Sequence, residues 1–175
     1  KGWESMPINS VGRSIAELDS PSLLLDLDAF ERNARRMADH LRSRGKAWRP
    51  HAKAFKCPAI AHALRRVGAI GVTVAKVSEA EVMAASGIED ILIAHLVVGD
   101  SKAKRLAALQ RHSNVKATID HPDQIGPIEA AAARANTRIG LLVDVNLGMN
   151  RTGLETPEDA ATLAARIAGS SSLTF

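Results

Sequence analysis

The chain has no tyrosine, a single cysteine and only 3% aromatic residues among its 175. Each shortage excludes something. Cys57 cannot close an internal disulfide, so a reducing, cytoplasmic setting is expected. It stands beside Pro58 with no CxxC partner, and its plainest reading is a small buried side chain rather than a nucleophile. No apolar run approaches the length of a membrane span, so no membrane partner is expected. The opening "KGWESMPINS" lacks the apolar core of a signal peptide. It begins on Lys1 rather than Met, as processing or a numbering started inside a longer product would give. No GxGxxG or P-loop pattern follows any apolar run, which removes the two common nucleotide signatures. Six histidines are scattered without HxH or HExxH spacing, so no metal ligand is assigned. The net charge is +4, but acids interleave with bases, as in "DAFERNARRMADHLRSR". Without a basic run or an aromatic-interleaved patch, nucleic-acid binding is not indicated.

What remains is an ordinary globular composition, 46% apolar and 24% charged, long enough for one domain with a real core. Strand-length apolar runs alternate with helical patterns. The predicted strands are "SLLLDLD" (22–28), "AWRPHAK" (47–53), "GVTVAKV" (71–77), "ILIAHLVV" (91–98), "VKATID" (115–120) and "RIGLLVDV" (138–145), and "SLTF" (172–175) begins a seventh. Between them, Asp28 with Glu31 and Ser78 with Glu81 read as capping boxes. Phe30, Ala34, Met37 and Leu41 share one helical face, as do Ile60, Leu64 and Val67. Pro58, Pro122 and the Thr156–Pro157 pair open helices, and Gly87 ends one. The strands are nearly continuous apolar runs, which suits parallel strands covered on both faces. The class is therefore α/β, either an open doubly wound sheet or a (β/α)8 barrel. A barrel needs eight strands and this chain offers six or seven. Part of a longer barrel is expected, with an open sheet as the alternative.

The stretch "RPHAKAFKCP" (49–58) gathers an arginine, a histidine and two lysines where a strand is predicted. Alternation places Arg49, His51 and Lys53 on one face. Lys53 would lie at the strand's carboxyl end, where α/β barrels hold their active sites. Neighbouring positive charge and desolvation would both favour its neutral amine, the form a Schiff-base lysine needs. An exposed edge lysine in a basic loop is the equally simple reading of the spacing.

"RPHAKAFKCPAIA" resembles the cofactor-lysine segment of the D-threonine aldolase family, which groups with eukaryotic-type D-serine dehydratases. These are alanine-racemase-like, fold-type III enzymes that use pyridoxal 5'-phosphate (PLP). "SPSLLLDLDAFERN", "GVTVAKVSEAEVMAASGIEDILIAHLVVG" and "LLVDVNLGMNRTG" resemble further family segments in the correct order. The resemblance covers almost the whole chain. It implies a PLP-binding TIM-type barrel of which this chain is an incomplete N-terminal part. Residues 1–46 would be the leading strand and helix, and 47–175 the first part of the barrel. The remaining strands and a C-terminal β domain would lie outside the chain.

The resemblance implies roles residue by residue. Lys53 would carry PLP and be the catalytic lysine, Arg151 would hold the phenolic oxygen of PLP, and His51 would line the barrel beside the cofactor. Arg49 and His95 are substrate-site candidates, and Lys76 and Glu79 stand at the possible wall. Packed core histidines, a surface Arg151 and a solvated helix start are the competing readings. Three positions depart from the family's usual pattern: Phe55 for a second histidine, His95 for an asparagine, and Asn146 for an aspartate.

The implied activity is retro-aldol cleavage of a β-hydroxy-D-amino acid, D-threonine above all, to glycine and an aldehyde. A divalent metal would sit on ligands outside this chain, and the enzyme would be a homodimer. The alternatives are D-serine or 3-hydroxyaspartate dehydration, amino-acid racemisation, and a noncatalytic PLP carrier of the same fold. A racemase usually needs a tyrosine base from a C-terminal domain, and this chain holds none.

Overall fold

A computed structural model describes residues 10–175; the opening stretch scanned for a signal peptide lies largely outside them. The strands are β1 (Val72–Val74), β2 (Asp90–Leu96), β3 (Asn114–Ile119), β4 (Ile139–Val143) and β5 (Leu173–Thr174). The helices are α1 (Leu27–Arg42), α2 (Pro58–Arg66), α3 (Val77–Ala85), α4 (Asp100–Leu109), α5 (Ile125–Arg134) and α6 (Pro157–Ala168). The strands form one sheet in sequence order, β1-β2-β3-β4-β5, and every neighbouring pair is parallel. A doubly wound sheet reverses its strand order at a switch point; a barrel wall does not. The order therefore selects the barrel wall, which periodicity alone left open.

α3 packs on α4 and α4 on α5, so consecutive helices lie side by side over one face of the sheet. Ile91, Ile93, Val115, Ala117, Ile119, Ile139 and Leu141 point to that face and are buried. Burying one such branched side chain stabilises the fold by roughly 1.5–3 kcal/mol. The opposite face holds Asp90, Leu92, Lys116, Thr118 and Leu142, none of them buried among the described residues. Among the described residues β1 is covered on both faces, with Val72, Thr73 and Val74 all buried, and the opposite face is open along β2 to β4, where composition suggested cover. No helix among the described residues is long and apolar enough to cross a membrane.

Four expectations are corrected. Residues 22–28 form no strand: Leu23, Leu24 and Leu25 are exposed, and no ladder partner stands beside them among the described residues. α1 starts two residues earlier than predicted, because Asp26 rather than Asp28 accepts from the Ala29 amide at 2.8 Å. Glu31 pairs with Arg35 instead of closing a box, and Met37 faces out. Ser78 and Glu81 do not cap α3. Glu79 reaches back to the Ala75 amide at 2.8 Å, and Glu81 makes two bonds to Arg105. Cys57 is free and half-buried at the cap of α2, not sealed in the core.

Other signals hold. Pro58 and Pro157 occupy first turns, and Thr156 caps α6 by accepting from the Asp159 amide at 3.1 Å. Gly87 follows α3 at φ +83°, a left-handed position that glycine takes without strain. α1 and α2 join through a second apolar cluster of Ala34, Leu64 and Ala69, with Phe30, Trp48 and Ile60 packed against it.

Candidate functional site

The segment around "RPHAK" lies along the free edge of β1. It is not a full strand. Single parallel bridges join Trp48 to Ala69 and His51 to Thr73. The Thr73 amide donates to the Pro50 carbonyl at 2.8 Å and the Ile70 amide to Trp48 at 2.9 Å. Pro50 has no N–H, so the ladder cannot continue through it. After His51 the chain turns into a short 3-10 helix, Ala52–Ala54. The His51 ring starts that turn: its Nδ1 accepts from the Lys53 amide at 3.2 Å. Lys53 therefore stands in a turn just beyond the strand end.

Lys56 follows at φ +45°, a strained conformation for a non-glycine residue. Its ammonium lies 3.2 Å from Glu79. Burial opposes ionisation of Glu79, but the Ala75 amide and Lys56 outweigh it and hold its carboxyl below the usual range. Lys56 is thus paired with Glu79, which also bonds the Ala75 amide and so ties this turn to the start of α3.

β2 supplies His95 through an irregularity. Ile93 pairs with Ala117, yet the next paired residue is Leu96, with Thr118. Ala94 and His95 are surplus in the ladder. Strict alternation would send His95 to the helix-covered side with Ile91 and Ile93. The bulge leaves it exposed at the carboxyl end instead, a re-aiming such features commonly produce near active sites. Thr118 donates through its hydroxyl to the Ile93 carbonyl at 3.1 Å, occupying a bond the broken ladder released.

The loop after β4 supplies Arg151. The Asp144 amide donates to the Ile119 carbonyl at 2.8 Å, the Asn146 amide to Leu154 at 2.9 Å, and the Leu154 amide to Asp144 at 3.0 Å. Asp120 accepts from the Gly153 amide at 3.0 Å. Gly153 sits at φ +103°, and a Cβ there would lie 2.5 Å from the Asn146 nitrogen. Only glycine lets the two arms of this loop close.

These elements converge. His51, Lys53, His95 and Arg151 line one open cleft of about 390 Å³, together with Asp144 and Thr152. The side chains of Lys53, His95, Asp144 and Arg151 make no hydrogen bond or ion pair among the described residues. Burial, and then the neighbouring Lys53 ammonium, push the His51 ring below its usual value, with Glu79 opposing. His51 is therefore favoured as the neutral ring, with Nδ1 accepting and its proton on Nε2. Lys53 is exposed, so the described residues do not supply the desolvation foreseen for it.

Arg49 goes elsewhere. Its guanidinium pairs with Asp90 at the start of β2, and Asp90 also accepts from Lys116 at 3.0 Å. Asp144 was not foreseen from the sequence. Its signal was its place at the carboxyl end of an apolar strand, in the motif that also carries Arg151. Among the described residues no group of three or more His, Cys, Asp or Glu is arranged to hold a metal.

Residues 25–175 match the family described as alanine racemase, N-terminal domain. Over 164 residues the chain is 40% identical to D-threonine aldolase of Arthrobacter sp., covering 94% of this chain and 43% of that protein. It is 36% identical over 166 residues to 3-hydroxy-D-aspartate aldolase of Paracoccus denitrificans, covering 94% of this chain and 43% of that protein. The crystal structure of D-threonine aldolase from Filomicrobium marinum superposes with a TM-score of 0.90 at 45% identity, over 92% of this chain and 44% of that one. The chain spans less than half the length of these relatives.

Proposed function

The chain belongs to the alanine racemase N-terminal domain family, whose match runs from residue 25 to 175, and from that premise we propose that it is the PLP-binding part of a lyase acting on β-hydroxy-D-amino acids. The reaction is of D-threonine aldolase type: the β-hydroxyl loses its proton as the Cα–Cβ bond breaks to give the aldehyde, and Cα takes up a proton to give glycine. The observation that carries this reading is the convergence of His51, Lys53, His95 and Arg151 on one cleft at the carboxyl ends of parallel strands. The names of the aldolase relatives support the substrate class.

The residues present fit PLP. The cofactor offers an aldehyde and anionic oxygens; the cleft offers an unpaired amine on Lys53 and an unpaired guanidinium on Arg151. Lys53 would hold the aldehyde carbon and Arg151 the phenolic oxygen. When bound, PLP supplies an electron sink for charge developing at the substrate Cα. His51 orients Lys53 by capping its turn, and its neutral ring adds no second positive charge beside that amine. His95, re-aimed by the bulge, is assigned to hold a polar group of the substrate. Asp144 is a second polar wall residue.

The proposal includes features outside this chain: the remaining barrel strands and C-terminal β domain, and a divalent metal on ligands located there. It also includes a homodimer and a cytoplasmic setting, the latter supported by the free Cys57 thiol. Within the chain, 1–46 contributes the leading segment and helix and 47–175 the barrel wall.

Assaying the complete protein on D-threonine, D-serine and alanine tests the assignment. Glycine release from D-threonine is the expected result. Ammonia from D-serine in its place would mean a dehydratase, racemised alanine a racemase, and PLP binding without turnover a carrier.

A further inference from the structure

The side-chain amide of Asn146 adds a set of bonds across the loop that carries Arg151. Asn146 Oδ1 accepts from the Gly148 amide at 3.0 Å and from the Asn150 amide at 3.1 Å. Its Nδ2 donates to Asn150 Oδ1 at 2.9 Å and to the two Glu155 oxygens at 2.9 and 3.1 Å. Both hydrogens and both lone pairs of the side chain are engaged. Asn150, held from both its amide and its side chain, takes φ +51° immediately before Arg151. An aspartate at position 146 would still accept from the Gly148 and Asn150 amides. It could not donate to Glu155, and would set two carboxylates at hydrogen-bond distance, where like charges repel.

We propose that Asn146 and Glu155 form a positioning clamp for Arg151, and that the amide at 146 is what allows Glu155 to close it. Neither residue is assigned a contact with the reacting atoms. The inference deepens the cofactor reading, and rests on it only for the statement that Arg151 meets PLP.

The test uses the complete protein as wild type, Asn146→Asp, Glu155→Gln and the double variant. Two quantities are followed: hydrogen exchange of the 146–155 amides without cofactor, and the PLP dissociation constant from absorbance titration. Asn146→Asp is expected to speed loop exchange and weaken PLP binding about tenfold each, the consequence of an unmade, repulsive contact. In the double variant the introduced glutamine amide donates to the introduced carboxylate, which restores the contact with donor and acceptor exchanged. Both quantities then return to within about threefold of wild type. Unchanged exchange in Asn146→Asp, or a double variant no better than that single one, overturns the clamp. If wild type takes up no PLP while the exchange pattern appears as stated, the clamp stands and the cofactor reading is the one that fails.

Discussion

Charge gathers at both ends of the uncovered face of the sheet, and the two ends treat it differently. At the amino ends of the strands Asp90 takes Arg49 on one side and Lys116 on the other, so each charge has a partner within the chain. At the carboxyl ends Lys53, His95, Asp144 and Arg151 face a cleft and have no such partner among the described residues. A positive charge that is already paired serves the fold. One that the fold leaves unpaired on a concave surface is available to a ligand. Arg49 and Lys53 stand four residues apart in one motif, and this contrast assigns them opposite roles.

The most severe break in that contrast is Lys53→Ala. It should abolish PLP attachment and reduce turnover by about a thousandfold or more, while leaving denaturant stability near wild type. Arg151→Ala should weaken PLP binding by roughly tenfold to a hundredfold, again with little change in stability, because the guanidinium is exposed. Asp90→Ala should do the reverse. It strands Arg49, whose Nε is already buried without a partner, and costs about 1–2 kcal/mol in chemical denaturation with PLP still attached to Lys53.

The smallest effect sharpens the contrast through pH. The folded protein holds the His51 ring below its unfolded value of 6.5. The unfolded chain therefore binds more protons as pH falls through 6.5 and below, and stability declines there. His51→Gln should flatten that acid limb slightly in urea titrations between about pH 5 and 7, and an unchanged slope would remove His51 from the account.

Much of this was legible in the residues. The alternation of strands and helices from β1 onward and the proline-led helix starts are found in the fold, and the segments carrying Lys53 and Arg151 meet at one cleft. The leading run "SLLLDLD" misled, because apolar composition reports a need for cover and not whether a pairing strand is at hand. The capping boxes misled because several acids near each helix start compete for the same amides, and one or two residues decide which wins. Arg49 followed the alternation rule onto the uncovered face, but only the tertiary register reveals Asp90, 41 residues away, as its partner. His95 was a site candidate through the resemblance, and alternation alone would have sent it to the covered face. A bulge has no composition signal in "ILIAHLVV", and without the bulge the same rule buries the ring.

The central claim is that Lys53 is the residue that takes PLP. The direct measurement is borohydride reduction of the complete protein in the presence of PLP, followed by peptide mapping by mass spectrometry. The account predicts a pyridoxyl-phosphate adduct on the peptide containing Lys53, with Lys56 unmodified because Glu79 holds it. An adduct on Lys56 or any other lysine, or no adduct at all, would contradict it.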